Sequence, residues 1–345
     1  MTFVHEAQVV SLSRILILGF AGFVVSMLLT PLYTKLAYRY KWWKQVRDTA
    51  ITGEQAPVFF KLHAAKHKRN IPTMGGLVVI VTVAIVTLLL NLTRSQTYLP
   101  LAIMVAAGSV GLIDDFINIR GHGEGTAGLR SQLKFALIFG VAVMGALYFY
   151  YKLGYHLIHI PAVGNFSIGW LYIPLFIAVV VSTANAVNIT DGLDGLSGGL
   201  LTTAFGAYAI IAYFQHSYGI AGFCATIVGV MLTYTWFNIY PARFFMGDSG
   251  AFALGTTLGV VAVLTNAIVV LPIIGGVFVM EAGSSVIQII SKKLFKRKVF
   301  LSAPIHHHFE ALGWPETKVT MRFWVIGQAL GVVGLVLGLL GNHVL

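Results

Sequence analysis

The sequence predicts an all-α polytopic membrane protein with about ten transmembrane helices, formed by a single domain over residues 1–345. The chain is 57% hydrophobic, only 10% of its residues are charged, and its mean hydropathy is +0.82. A soluble domain of this length needs a charged surface, which this composition cannot supply. Lys, Arg, Asp and Glu are absent from the stretches 15–34, 95–113, 153–190, 195–242 and 249–280. A bilayer span needs roughly 20 apolar residues, so the longer stretches can hold more than one helix.

The distribution of basic residues predicts the orientation of these helices. We place spans at 15–34, 74–92, 96–113, 135–151, 169–187, 197–214, 220–237, 249–265, 267–290 and 323–341. Both termini then share one side, and of the 23 Lys and Arg only Arg14, Arg94 and Lys152 lie there with them. The strongly basic side is expected to be cytoplasmic, which places both termini in the periplasm. The net charge of +11 therefore reflects topology and favours membrane lipid and anionic substrates, not nucleic acid, as partners.

Polar residues concentrate in the predicted cytoplasmic connections, at 36–73, 114–134, 188–196, 238–248 and 291–322. Of the 12 acidic residues, only Glu6 and Glu281 lie elsewhere, so an active site is expected on the cytoplasmic face. Glu281 is isolated in "GGVFVMEAGSSVIQII" and is expected to face the bundle interior and find a partner there. Among the outer connections, 152–168 is the longest and predicts a hairpin or an amphipathic segment.

Three groups of aspartates lie at predicted ends of spans. Asp114 and Asp115 close the third span, where two adjacent negative charges oppose the helix dipole and favour a nearby cation such as Mg²⁺. "NAVNITDGLDGLSGG" carries Asp191 and Asp194, which share a face if the segment is helical. Asp248 begins the eighth span. The alternatives are ordinary ones: an interfacial helix end, a Gly/Asp turn and a helix cap, respectively.

Histidines and basic residues supply the remaining candidates. "SAPIHHHFEALGWPE" contains His306, His307 and His308; three consecutive side chains cannot point the same way, so a three-histidine zinc site is not expected. Hydrogen bonding to phosphate or sugar, with one proton-transfer residue, fits them better. "HAAKHKRNIPTMGG" and Lys134 are either ordinary cytoplasmic flanks or part of a site for an anionic ligand. Carboxylates, amides, histidines and lysines gathered at one membrane interface are sufficient for metal-assisted phosphoryl-group transfer.

The motifs "TMGG", "DDF", "NAVNITDGLDGLSGG", "FFMGDSGAFALG" and "APIHHHFEALGWPE" resemble those of the polyprenyl-phosphate N-acetylhexosamine-1-phosphate transferases. The resemblance runs in order from about Pro31 to the C-terminus, and "PIHHHFE" favours the muramoyl branch over the N-acetylglucosamine branch. It implies ten transmembrane helices, Mg²⁺ dependence, a homodimer and a place in the bacterial inner membrane. It also implies transfer of phospho-MurNAc-pentapeptide from UDP-MurNAc-pentapeptide to undecaprenyl phosphate, which yields lipid I and UMP for peptidoglycan synthesis.

The resemblance also implies roles for individual residues. Asp114, Asp115 and Asp248 match the catalytic aspartates, with Asp248 as the Mg²⁺ ligand and Asp114 as the acceptor of the lipid phosphate's proton. Asp115 assists or acts with the metal. The residues that match the substrate-binding cleft are Lys68, Thr73, Lys134, Asn185, Asp191, Asp194, Asn238, His306, His307 and His308. Asn118 stands where the family often has Lys, so Lys134 or Arg120 must replace any phosphate contact made there.

Several alternatives remain open at this point. The lipid phosphate attacks the nucleotide sugar directly, or an aspartate attacks first and forms a covalent intermediate. The same chemistry on UDP-GlcNAc is a second candidate function. An ion-coupled transporter is the main alternative of another class, and it predicts acidic residues at several membrane depths. A non-catalytic membrane scaffold leaves the clustered aspartates and histidines unexplained.

Overall fold

The computed structural model describes residues 2–43, 70–93, 96–121 and 128–340, and most of them are helical. The helices are α1 (Thr2–Arg39), α2 (Gly76–Leu90), α3 (Tyr98–Arg120), α4 (Ser131–Leu147), α5 (Tyr172–Thr190), α6 (Leu196–Phe214), α7 (Tyr218–Asn238), α8 (Gly247–Leu264), α9 (Leu271–Ile274), α10 (Gly276–Phe295), α11 (Ile305–Ala311) and α12 (Glu316–Leu339). A π-helical turn at Tyr148–Lys152 extends α4.

The all-α polytopic class is confirmed. In the described ranges, eight helices are long and apolar enough to cross a bilayer: α1, α3 to α8 and α12, where α4 and α5 include the short turns beside them. Helix α2 is apolar but has only 15 residues, and α10 carries charged residues near its end. The crossing of all ten predicted segments, with both termini outside, stays a prediction.

The predicted ninth span is divided in the structure. The sequence predicts one helix over 267–290, whereas the structure has the short α9, a break at Gly275, and α10, which continues to Phe295. Pro272 lies in the first turn of α9, where it costs no backbone hydrogen bond, and the cap at Gly275 has left the helical conformation. The last span also begins earlier than predicted, at Glu316.

Helix α8 forms the centre of the bundle. Every residue from Gly247 to Val263 is buried, and the helix packs against α2, α3, α5 and α6. A helix that is apolar on all sides is stable only when neighbours surround it, and this one is almost fully enclosed. Gly111 lets α3 approach closely, because a Cβ there would overlap with the backbone carbonyl of Asp248. The outer layer includes α1 on α7, α4 on α5, and α12 on α6.

Backbone hydrogen bonds fix the start of α8 beside the start of α2. The N–H of Gly75 donates to the carbonyl of Phe245 at 2.9 Å, and the N–H of Gly76 donates to that of Met246 at 2.8 Å. The N–H of Phe245 in turn donates to the carbonyl of Pro72 at 2.8 Å. The "PTMGG" segment therefore forms one wall next to Asp248. We refer to this end of the bundle, where α1, α3 and α10 end and α8 begins, as the basic end.

The connection after α4 contains the predicted hairpin. Strand β1 (Leu157–Ile160) pairs antiparallel with β2 (Gly164–Ser167), with Leu157 opposite Ser167 and Ile160 opposite Gly164. The backbone N–H of His159 donates to the side-chain oxygen of Asn266 at 3.0 Å, which attaches the hairpin to the turn after α8. This turn lies at the end of α8 away from Asp248, so the hairpin belongs to the opposite face from the aspartates.

Candidate active site

Three charged side chains from three helices meet at the basic end. The Nζ of Lys134, at the start of α4, lies 3.0 Å from Oδ2 of Asp114 and 2.9 Å from Oδ2 of Asp248. Asp114 comes from the last turns of α3, and Asp248 from the first turn of α8. The second oxygen of Asp114 accepts a hydrogen bond from the backbone N–H of Leu129 at 2.6 Å. The structure thus brings together three of the residues that the sequence predicts.

Two carboxylates of this cluster are of the kind that would hold a divalent cation. Asp114 is 1% exposed and Asp248 8%, so both carboxylates lose most of their hydration, and Lys134 supplies one positive charge between two negative ones. Their two oxygens converge within 3.0 Å of one nitrogen. Mg²⁺ is bound by one or two carboxylates together with waters and substrate phosphates, which this pair fits. No ready-made cluster of three or more acidic, His or Cys ligands occurs within the described ranges.

Asp115 lies in a different environment from its neighbour Asp114. Its Oδ1 accepts a hydrogen bond from the backbone N–H of Asp248 at 3.2 Å, and its Oδ2 accepts one from the N–H of Ser249 at 3.0 Å. These N–H groups at the first turn of α8 have no partner within that helix, and the helix dipole favours a negative charge there. Asp115 therefore caps α8, whereas the sequence considered only Asp248 for a capping role.

Gly247 makes the approach of Asp115 possible. Its φ is +76°, a left-handed conformation that L side chains rarely adopt, and a Cβ at this position would overlap with Oδ2 of Asp115. The same Cβ would come within 2.7 Å of Oγ1 of Thr73, so the buried Thr73 hydroxyl lies beside the start of α8. The backbone carbonyl of Thr73 accepts a hydrogen bond from the Tyr33 hydroxyl at 2.5 Å.

The position of Lys134 is relevant to residue 118, where this chain has Asn and the family often has Lys. Asn118 is buried in α3, one turn after Asp114 and Asp115. Of the two proposed replacements for the family lysine, Lys134 contacts the carboxylates, whereas the guanidinium of Arg120 lies 4.2 Å from the ring centroid of Phe116. The positive charge between the two carboxylates thus comes from Lys134 at the start of α4.

Asp194 and Asn238 join two connecting segments. Oδ2 of Asp194 accepts the backbone N–H of Ala242 at 2.9 Å, and the backbone N–H of Asp194 donates to Oε1 of Glu316 at 2.6 Å. Oδ1 of Asn238 accepts the N–H of Gly195 at 2.8 Å, while its Nδ2 donates to the carbonyl of Phe244 at 2.8 Å. Both side chains are buried, so they hold the turn 191–195 against the segment 239–246 that leads to Asp248.

Of the other two predicted residues in this part of the chain, Asp191 lies at the end of α5 and Asn185 lies within it. Asp191 caps the C-terminal end of α5 and accepts a hydrogen bond from the hydroxyl of Ser197 in α6. Asp191 and Asp194 belong to the turn between α5 and α6, so they do not share a helical face. Asn185 is half-buried within α5, and its Nδ2 donates to the carbonyl of Val181 at 2.8 Å.

The three histidines point to three different partners. Nδ1 of His306 lies 2.8 Å from Oε2 of Glu281, and Nδ1 of His307 lies 2.6 Å from Oε2 of Glu310. Nδ1 of His308 accepts the backbone N–H of Leu301 at 3.2 Å. The expected divergence of the three side chains is confirmed. The isolated Glu281 has its expected internal partner, since the side chains of Glu281 and His306 are 0% and 1% exposed.

His306 also lies against the turn that carries Asp191. A Cβ at Gly192 would come to 2.5 Å from Nε2 of His306. The sequence did not predict this contact, nor the Glu310 and Glu316 partners; its one relevant signal was the cost of isolating Glu281 in an apolar helix. Lys68, with the adjacent Lys66 and Arg69, lies outside the described residues.

The aspartate–lysine cluster and the turn 191–195 both lie in a region that matches a known protein family. A family model described as glycosyl transferase family 4 matches residues 97–266, which include Asp114, Lys134, Asp194 and Asp248. Phospho-N-acetylmuramoyl-pentapeptide-transferase of Chloroflexus aurantiacus (strain ATCC 29366 / DSM 635 / J-10-fl) is 39% identical over 99% of this chain and 94% of its own. Proteins of the same name are 38% identical in Geobacillus sp. (strain WCH70), over 91% and 94% of the two chains, and 36% in Bacillus anthracis (strain A0248), over 94% and 98%. With relatives this similar over nearly their whole length, the chain belongs to the phospho-N-acetylmuramoyl-pentapeptide transferase family.

Proposed function

We propose that this chain transfers phospho-MurNAc-pentapeptide from UDP-MurNAc-pentapeptide to undecaprenyl phosphate, forming lipid I and releasing UMP. The reaction takes place at the cytoplasmic face of the bacterial inner membrane. The observation that carries the proposal is the convergence of Asp114 and Asp248 on Lys134 at one end of an apolar bundle. A charged cluster at the end of a membrane-embedded bundle suits a reaction between a phosphate that is carried by a lipid and a diphosphate that is dissolved in water.

The transfer exchanges one phosphorus–oxygen bond for another. An oxygen of the lipid phosphate forms a bond to the phosphorus attached to the sugar, and the bond from that phosphorus to UMP breaks. Asp114 takes the proton of the lipid phosphate, and the Lys134 ammonium, 3.0 Å away, orients its carboxylate and attracts the incoming phosphate. Asp248, with Asp114 beside it, would hold Mg²⁺, and the ion would supply positive charge to neutralise the diphosphate.

Asp115 contributes by positioning the metal ligand. Both of its oxygens accept backbone hydrogen bonds at the start of α8, which supports a structural role for it over a role as nucleophile. Asp114 remains available for either route, as the base in direct attack or as the nucleophile of a covalent intermediate. A burst of UMP in the absence of lipid acceptor indicates the covalent route, and a linear trace without a burst indicates direct attack.

The remaining predicted residues support nucleotide binding. The turn 191–195 is held by Asn238 and Glu316 and lies against His306, so a nucleotide bound there meets a preorganised surface. Glu281 is paired with His306 from α11, and His306 connects this acid to the same turn. Because Glu281 has this partner, it does not support an ion path through the bundle. We include Lys68, Thr73, Asn185, His307 and His308 in the same substrate-binding region, and a homodimer as the assembly.

The proposal is tested by UMP release from the purified protein in lipid nanodiscs. UDP-MurNAc-pentapeptide with undecaprenyl phosphate and Mg²⁺ should release UMP, and omitting either the acceptor or Mg²⁺ should stop multiple turnover. UDP-GlcNAc is the matched control substrate, because it carries the same diphosphate on a different sugar. Faster release from UDP-GlcNAc would assign the chain the alternative substrate, and no release from either, together with ion transport in vesicles, would contradict the proposal.

A further inference from the structure

A groove with basic walls lies at the basic end, outside the cluster described above. It is lined by Pro31, Thr34, Lys35, Tyr38 and Arg243 and has a volume of about 440 Å³. The hydroxyl of Tyr38 donates a hydrogen bond to the backbone carbonyl of Arg243 at 3.0 Å, which holds the end of α1 against the segment 239–246. None of the site residues that the structure describes contributes to its lining.

The groove presents two positive charges to its surroundings. Lys35 and Arg243 are both exposed, and among the residues that the structure describes neither has a carboxylate within ion-pair distance. The guanidinium of Arg243 lies 5.7 Å from the ring centroid of Phe237, which orients it without neutralising it. An anion of modest size that enters the groove therefore meets two cations.

The neighbouring residues place the groove at a membrane interface. Leu32 and Leu36 lie one turn apart on the same part of α1 and are 58% and 36% exposed, and the exposed Tyr38 and Tyr40 follow them. Exposed leucines beside exposed tyrosines and basic residues, at the end of a membrane-length helix, are typical of the region where acyl chains meet phosphate headgroups. The charged lining thus faces the layer in which lipid phosphates lie.

We propose that this groove binds the phosphate headgroup of an anionic phospholipid of the bilayer. The polyprenyl phosphate substrate has the same phosphate chemistry, but the described residues that line the groove include no carboxylate to accept a proton. Phe244 and Met246, which lie between Arg243 and Asp248 in the sequence, are 1% and 0% exposed, so the chain runs through the buried interior from the groove to the cluster. The groove is therefore a separate lipid site on the surface of the bundle.

The binding test uses the whole protein and does not depend on the transfer reaction. The protein in detergent is titrated with phosphatidylglycerol or phosphatidylcholine, and bound lipids are counted by native mass spectrometry. Lys35→Gln/Arg243→Gln should weaken phosphatidylglycerol binding by about fivefold for each charge removed and leave phosphatidylcholine binding unchanged. The matched control, Lys293→Gln/Arg297→Gln, removes one Lys and one Arg at exposed positions in the last turn of α10 and just after it.

Retention of phosphatidylglycerol by the control double variant, with loss in the groove variant, supports the site. Equal loss of phosphatidylglycerol binding in the two double variants would attribute the binding to general surface charge and overturn the proposed site. Equal retention of binding in both variants would also overturn it. A second measurement tests whether the acceptor substrate occupies the groove. The KM for undecaprenyl phosphate is determined in phosphatidylcholine nanodiscs. This inference expects an unchanged KM in Lys35→Gln/Arg243→Gln, and an increase would assign the groove to the acceptor lipid instead.

Discussion

The carboxylate of Asp115 accepts a hydrogen bond from the backbone N–H of Asp248 at 3.2 Å. One aspartate of the adjacent pair thus positions the helix that carries the proposed metal ligand, while the other, Asp114, joins that ligand at Lys134. Adjacent positions on a helix point about 100° apart, so two consecutive carboxylates at the end of α3 reach two different neighbours. The "DDF" motif therefore combines one reacting group with one structural group.

We expect Asn substitutions to separate these two roles. Asp115→Asn removes the negative charge at the start of α8 and replaces one of the two acceptor oxygens by an NH₂ group, so it should lower the free energy of unfolding by about 1–2 kcal/mol. Asp114→Asn should cost less stability, because Asp248 still pairs with Lys134, but should lower kcat by about 10²–10⁴-fold. Thermal unfolding in detergent and UMP release measure the two effects. A stable Asp115→Asn protein with unchanged activity would contradict the capping role.

Gly247→Ala tests how the start of α8 is built. The substitution forces a Cβ into a left-handed backbone conformation and into contact with Asp115, so the protein should lose about 1–3 kcal/mol of stability. Gly283→Ala in α10 is the matched control, because a Cβ there meets nothing within 4 Å and alanine favours a helix. The measurement is thermal unfolding of both variants. Equal unfolding temperatures for the two variants would contradict a contribution of the close packing around Gly247 to stability.

Lys134→Gln tests whether a divalent cation uses the same carboxylates as the ammonium. Removing the charge that joins Asp114 and Asp248 should cost about 1.5–3 kcal/mol without metal. Mg²⁺ should then raise the unfolding temperature more in this variant than in the wild type, because the two carboxylates are left without their counterion. The double variant Lys134→Gln/Asp248→Asn should lose that gain. A gain that survives in the double variant would place the metal elsewhere.

Glu281→Leu tests the support of His306 from α10. With its carboxylate partner removed, the buried Nδ1 of His306 loses its hydrogen bond, and we expect a loss of about 1–3 kcal/mol. KM for the nucleotide sugar should rise, since His306 lies against the 191–195 turn, and Glu281→Gln should restore part of both effects. Val286→Ala, at an exposed position of the same helix, is the control. Unchanged KM in Glu281→Leu would separate His306 from nucleotide binding.

The sequence predicted the helical segments, the hairpin and the concentration of acids at one end, because these depend on local composition and periodicity. It did not predict that Asp115 caps α8 or that both ends of the Asn238 amide hold connecting segments. These partners are backbone groups brought close only when α3, α7 and α8 pack together, and spacing along the chain carries no information about them. Glu281 was an intermediate case: its cost in an apolar helix predicted a partner but not that the partner is His306.

The central claim is that Asp248 and Asp114 form, with Lys134, the metal-dependent centre of transfer. It is tested most directly by titrating Mg²⁺ into Asp248→Asn and following UMP release from UDP-MurNAc-pentapeptide in the presence of undecaprenyl phosphate. Cys224→Ala, a change at a buried residue remote in sequence from the cluster, provides a control expected to keep near-normal activity. We predict no turnover by Asp248→Asn at any Mg²⁺ concentration. Wild-type turnover by Asp248→Asn at the same Mg²⁺ concentrations would contradict the account.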